Sequence, residues 1–236
     1  MASGLADLAA YEGRYQDAVQ ILEKGAAADA AAGKPDAAAD KYAALGYAQI
    51  QRQQKTAALA AVEAARGKSK SVKIRFLTAR VLVAAGELAK ARAVAAELAS
   101  ELQSGPQMYA KLIEGEAALQ GGDAKQAIKV FTEANQMLDT WIGRFELGRA
   151  YLEAGAFTEA DAQFDQCTKR RGEVIELFDD NVPTYEYFPA VYYYEGRARE
   201  GMKSAGFGNF YRDYLAIRGQ SSDDPLVIDI RKRLGN

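Results

Sequence analysis

Apolar residues recur along the chain at intervals of three and four positions, the spacing that places side chains on one face of an α-helix. Four stretches show this spacing, and each begins with an alanine. The stripes are Ala58/Val62/Ala65, Ala91/Ala95/Leu98, Ala127/Phe131/Ala134 and Ala160/Phe164/Cys167. Each stripe predicts an amphipathic helix whose apolar face packs against another helix.

A second pattern places a turn before each of these helices. A glycine followed five positions later by an alanine recurs as Gly13/Ala18, Gly86/Ala91, Gly122/Ala127 and Gly155/Ala160, with Gln53/Ala58 as a copy that lacks the glycine. From Gln53 onward the copies lie close to the roughly 34 residues apart that helix-pair repeats show. Small residues such as Ala79, Gly115 and Gly148 lie on the helix before the turn, where they let two helices approach closely. The chain is therefore predicted to be all-α.

One unit carries these features most clearly. It contains Trp141, Leu147, Gly148, Tyr151, Gly155, Ala160 and Phe164. In this order the residues resemble a tetratricopeptide repeat (TPR). The resemblance implies a right-handed superhelical solenoid of about five to six antiparallel helix pairs.

We expect a single domain over residues 1–236, with irregular insertions near 26–36 and 169–190. Residues 225–234 predict a C-terminal capping helix, because the last pair of a solenoid otherwise exposes its stacking face. An aromatic cluster lies at the second insertion: Tyr185, Tyr187, Phe188, Tyr192, Tyr193 and Tyr194. This cluster either forms a second pocket or packs the irregular segment onto the last pair.

Composition excludes several functions. The formal net charge is −2, so no basic excess favours nucleic acid. No apolar run approaches the roughly 18 residues of a membrane-spanning helix, so we expect no direct membrane insertion. The chain has no histidine and one cysteine, Cys167, which removes the commonest general base and metal ligand. We therefore expect no catalytic residue, no metal site, no cofactor and no enzymatic activity.

The first helices of stacked pairs line the concave side of a solenoid, where a peptide can lie. Residues placed there by helical spacing form the predicted peptide-binding face: Tyr47, Lys73, Phe76, Arg80, Tyr109, Phe145, Arg149, Tyr193 and Arg197. Arginines can clamp carboxylates and aromatic rings supply rigid contact area, which predicts an acidic protein or peptide ligand. Alternatively, the arginines pair with adjacent glutamates and the aromatic rings only fill space between repeats. Glu116 interrupts the row of arginines in the middle.

The C-terminal half resembles the TPR tail of bacterial eukaryotic-type serine/threonine protein kinases in three segments, 147–155, 169–173 and 191–198. This resemblance implies a scaffold or sensor module cut from a larger signalling protein, without a kinase motif of its own. Two other classes stay open: a structural element that forms homo-oligomers, and an enzyme on a helical scaffold. A cytoplasmic location is favoured for this segment, and an extracytoplasmic one applies if the parent protein spans a membrane.

Overall fold

The computed structural model describes residues 2–176, 184–221 and 224–235, and within these ranges the chain is helical with no strand. The α-helices are α1 (Ala2–Tyr11), α2 (Tyr15–Ala31), α3 (Pro35–Gln51), α4 (Lys55–Lys68), α5 (Val72–Ala84), α6 (Leu88–Ala99), α7 (Ser104–Gln120), α8 (Ala124–Met137), α9 (Trp141–Glu153), α10 (Phe157–Lys169), α11 (Ala190–Gly201), α12 (Phe207–Arg218) and α13 (Pro225–Leu234). Short 3₁₀ helices cover Arg171–Glu176 and Tyr185–Tyr187. Residues 177–183, part of the second predicted insertion, lie outside the described residues.

Neighbouring helices pack against each other in sequence order, which confirms the prediction of an all-α, repeat-like fold. Helices α3, α5, α7, α9 and α11 also form a row, in which each contacts the next. This row is called the inner row below. The main apolar core lies between the inner row and helices α4, α6, α8 and α10.

Small residues hold the paired helices together at close range. A Cβ atom added to Gly148 of α9 would lie 2.7 Å from the ring of Phe164 on α10, and one added to Gly196 of α11 would lie 2.6 Å from the ring of Tyr211 on α12. Gly115 faces Phe131 in the same way. Because these distances are shorter than van der Waals contact, only glycine fits at these crossings.

The same turn geometry joins the two helices of each pair and also joins α2 to α3. The second residue after α1, α2, α3, α5, α7, α9 and α11 has a positive φ of 55–82°. At Gly86, the N–H donates to the carbonyl of Val83, and the N–H of Glu87 donates to that of Leu82, at 2.8 and 2.9 Å. This Schellman pattern satisfies carbonyls at the helix end. Gln53 and Lys203 hold the same position without being glycine.

The first predicted insertion and the C-terminal segment are both largely helical. Helix α2 continues to Ala31, and a turn with positive φ at Gly33 leads to Pro35, the first residue of α3. Helix α13 occupies the segment predicted to cap the array, and the carboxylate of Asp224 accepts the N–H of Leu226 at its start. Among the described residues, no helix is long and apolar enough to cross a membrane.

The two ends of the array meet. Arg218 at the end of α12 donates from Nε to the carbonyl of Tyr11 and from Nη2 to that of Ala10, at 3.0 and 3.1 Å. The Ser221 hydroxyl donates to the carbonyl of Gly13. A guanidinium at a helix C-terminus is favoured because it binds carbonyls without helical partners. The helices therefore enclose a central space.

We predict that Gln53→Gly stabilises the protein. A left-handed backbone costs a non-glycine residue about 1–2 kcal/mol, and the greater freedom of glycine in the unfolded chain cancels about 0.4–1 kcal/mol. Urea unfolding should therefore show a gain of about 0.5–1 kcal/mol. The reverse change, Gly86→Gln, should destabilise the protein, because the space beside Gly86 is open and only the backbone is strained. A loss of stability in Gln53→Gly would contradict this account.

Candidate functional site

A cavity of about 470 Å³ lies at the centre of the helical array. Its walls come mainly from the inner row, and they include Tyr47, Arg80, Glu116, Phe145, Arg149, Glu153 and Tyr194. Tyr187 and Arg218 contribute from the C-terminal part of the chain. The volume lies within the roughly 300–1,000 Å³ of ligand pockets, and the lining combines aromatic rings with a few charged groups, as such pockets do.

Two arginines of the cavity share one buried carboxylate. Glu146 on α9 is fully buried, and its two oxygens accept from Arg80 Nη2 at 2.8 Å and from Arg149 Nη1 at 2.7 Å. Arg80 also donates from Nε to Glu116 on α7 at 2.7 Å. These four side chains link α5, α7 and α9, and they carry no net charge when both glutamates are ionised.

The two arginines also lie over aromatic rings. The guanidinium carbon of Arg80 is 5.0 Å from the ring centroid of Tyr187, and that of Arg149 is 5.3 Å from the centroid of Tyr194. Such cation–π contacts fix the planes of the guanidinium groups. Arg149 keeps 32% of its side chain exposed, whereas Arg80 keeps 14%. Arg149 is therefore the more accessible cation for a ligand in this cavity.

Burial controls the ionisation of this network. It raises the pKa of Glu116 to about 7, with Glu146 adding to the rise and Arg80 opposing it. Burial also disfavours the charge of Arg80, but the carboxylates of Glu116 and Glu146 outweigh it and raise the pKa of the guanidinium. Burial likewise disfavours the charge of Arg149, but the carboxylate of Glu146 outweighs it and raises the pKa of this guanidinium. Both arginines stay charged while Glu116 titrates near neutral pH.

The structure brings four of the nine predicted binding residues to the cavity: Tyr47, Arg80, Phe145 and Arg149. The other five are placed away from it. Lys73 pairs with Asp40 at 2.8 Å. Phe76 is fully buried and packs on Tyr109, with ring centroids 4.4 Å apart.

Tyr193 and Arg197 face the terminal helix instead of the cavity. The hydroxyl of Tyr193 donates to Asp229 of α13 at 2.8 Å and accepts from Arg197 at 2.9 Å. The ring of Tyr193 joins a separate apolar cluster with Tyr211 and residues of α13. Helical spacing placed them on the correct helix, but it could not show that α11 is covered by α13.

The predicted pairing of arginines with glutamates is present in the structure, alongside the cavity. Glu146 was missed, although it is the first carboxylate of α9 and lies three residues before Arg149, the helical spacing of an ion pair. Arg218 was missed as well. The sequence indicates Arg218 only by its spacing, because it lies on the same helical face as Tyr211 and Tyr214.

The aromatic cluster at the second insertion packs that segment onto the array. Tyr187 and Phe188 are buried, and Tyr185 stacks between Tyr11 and Phe188 at 5.1 and 5.6 Å. Two members, Tyr187 and Tyr194, also line the central cavity. The cluster thus contributes to one shared cavity.

A scan against protein-family models finds no match for this sequence, and a search of curated proteins finds no significant relative. The resemblance to a TPR therefore stays a prediction from the sequence.

We predict that the protein is more stable at pH 5 than at pH 8. The pKa of Glu116 is raised from 4.5 to about 7, so its contribution is complete below pH 4.5 and is lost as the pH rises through about 7. Glu195 also stabilises the protein more at low pH than at high pH, because burial raises its pKa to about 7. Urea unfolding at several pH values measures this trend.

Glu116→Gln isolates the contribution of Glu116. The variant keeps a side chain that can accept from Arg80, but it cannot ionise. Between pH 5 and pH 8 the free energy of unfolding should decrease in both proteins. The decrease should be about 1–3 kcal/mol smaller in the variant than in the wild type. Identical pH profiles of the two proteins would contradict the assignment.

Proposed function

We propose that this chain is a TPR-like protein- or peptide-binding module, and that its ligand enters the central cavity. The observation that carries the proposal is the cavity itself, where Arg80 and Arg149 lie beside Tyr47 and Phe145. The ligand we propose is a peptide that presents a carboxylate next to an apolar or aromatic side chain. We propose an acidic ligand because Arg149 is the more exposed of the two arginines in the network, with 32% of its side chain accessible.

The guanidinium of Arg149 has N–H groups that can donate hydrogen bonds to a ligand. Its Nη1 is bound to Glu146, and no other hydrogen bond of this guanidinium is present among the described residues. A planar guanidinium held by a salt bridge on one edge and an aromatic ring on its face is preorganised, so a ligand carboxylate finds it in place. Phe145 and Tyr194 then offer apolar surface beside it.

We further propose the role of this binding module on the strength of the sequence likeness alone. The stacked helix pairs would form a right-handed superhelical TPR solenoid that acts as a scaffold or sensor within a larger bacterial signalling protein, such as a serine/threonine kinase. A cytoplasmic location follows if no membrane span lies between this segment and the kinase. The chain would not act as an enzyme in this role.

A display library of random dodecapeptides tests the binding proposal. The wild-type protein should enrich peptides with Asp or Glu next to an aromatic residue. Arg149→Gln should weaken the enriched peptides at least tenfold, because a charge-assisted hydrogen bond contributes about 1.5–3 kcal/mol. Isothermal titration of the strongest peptide gives the affinities.

Arg144→Gln is the matched control. Arg144 lies on the same helix, but its guanidinium pairs with Asp139 away from the cavity. This variant should bind the peptides as the wild type does. No enrichment, or an equal loss in both variants, would count against the cavity as the binding site.

A structural element that forms homo-oligomers is the second candidate. Leu5 and Leu8 lie one turn apart on α1 and are 53% and 49% exposed, which is the kind of apolar surface that a second copy covers. Light scattering across protein concentration tests this. We expect a mass that grows with concentration for the wild type and a constant monomer mass for Leu5→Lys/Leu8→Lys; a monomer at every concentration would eliminate this candidate.

A further inference from the structure

Residues 184–189 lie across the inner side of the helical array. This segment, called the strap, contains the 3₁₀ helix Tyr185–Tyr187 and leads into α11. It contacts helices from both ends of the chain, and its partners are Asp7 and Tyr11 of α1, Tyr47 of α3, Arg80 of α5, Trp141 of α9 and Arg218 of α12. The strap therefore occupies the face on which an extended peptide would lie in a helical-repeat protein.

The two tyrosine rings of the strap pack against specific residues of α1, α3 and α5, and these two contact sites are called the seats below. The ring of Tyr187 meets that of Tyr47 edge to face, with centroids 4.7 Å apart, and it also carries the guanidinium of Arg80. The ring of Tyr185 stacks almost parallel to that of Tyr11 at 5.1 Å. Rigid rings packed on rings and cations are the anchors that dominate peptide recognition.

Side chains from other helices bind both main-chain polar groups of Glu186, the central residue of the 3₁₀ helix. The N–H of Glu186 donates to the carboxylate of Asp7 at 3.1 Å, and the carbonyl of Glu186 accepts from Arg218 Nη2 at 2.7 Å. Buried backbone groups need partners, and here two side chains from opposite ends of the sequence provide them. Such contacts bind a main chain whatever its own side chains are.

We propose that the face under the strap is a docking surface for a peptide with two aromatic residues separated by one residue, and that the strap occupies this surface as an internal ligand. The pattern is that of Tyr185, Glu186 and Tyr187. Two rings fill the seats at Tyr11 and Tyr47, and the residue between them is held by its main chain. This inference rests on the proposed peptide-binding function and adds a surface next to the cavity.

The probe is a fluorescein-labelled heptapeptide with the sequence of residues 184–190, Thr-Tyr-Glu-Tyr-Phe-Pro-Ala. Its binding is followed by fluorescence anisotropy with the wild-type chain and with the strap variant Tyr185→Ser/Tyr187→Ser. We expect the strap variant to bind at least tenfold more tightly than the wild type, because its own segment no longer fills the seats. A peptide with serine at both tyrosine positions is the control and should not bind.

Adding Tyr47→Ala to the strap variant should weaken the labelled peptide at least tenfold. Circular dichroism and urea unfolding show whether each protein is folded. If the strap variant Tyr185→Ser/Tyr187→Ser is unfolded, the single change Tyr187→Ser takes its place. A peptide with benzoylphenylalanine at the second tyrosine adds a readout independent of stability. Its crosslinks should map to α3 and α5.

Equal affinity for the wild type and a folded strap variant would overturn the inference, as would crosslinks confined to other helices. The display experiment with Arg149→Gln uses the unaltered strap and reports on the cavity alone. Failure of the strap experiment together with a positive display result would therefore remove the internal ligand but leave the cavity proposal in place. The opposite pair of results would remove the cavity and keep the surface.

Discussion

The close approach of paired helices is the constraint on which the architecture depends. Where Gly148 and Gly196 meet the rings of Phe164 and Tyr211, a single methyl group does not fit. In the pairs α7–α8, α9–α10 and α11–α12, the distance between the helices is therefore set by a backbone in contact with an aromatic side chain. With that distance fixed and one turn geometry repeated, the first helices of successive pairs fall into a row, and this row forms most of the cavity wall.

The charged network in the cavity links this architecture to its chemistry. Glu146 is buried between two arginines and joins α9 to α5, which lies two helices away in the inner row. A buried carboxylate is costly unless its hydrogen bonds are complete, so the positions of Arg80 and Arg149 are specified by the fold. The same requirement keeps the guanidinium of Arg149 at the cavity surface, where it faces Tyr194.

Sequence patterns predicted the helices, the turns and the terminal helix well, because each depends on residues close in the chain. Gln53 was recognised as a turn without glycine, and it has the same left-handed backbone as Gly86. Contacts between distant segments could not be predicted in this way. Nothing in the spacing of Tyr193 shows that α13 covers it, and nothing local to Arg218 indicates a partner two hundred positions earlier.

The bonds from Arg218 to Ala10 and Tyr11 change the physical character of the whole array. An open row of repeats behaves like a one-dimensional chain in which the terminal units fray and each repeat contacts only its neighbours. Joining the first helix to the last pair removes both free ends. Damage at one terminus is then transmitted to the other, and we expect the molecule to unfold as a single cooperative unit, with the closing contact formed late in folding because its residues are so far apart in sequence.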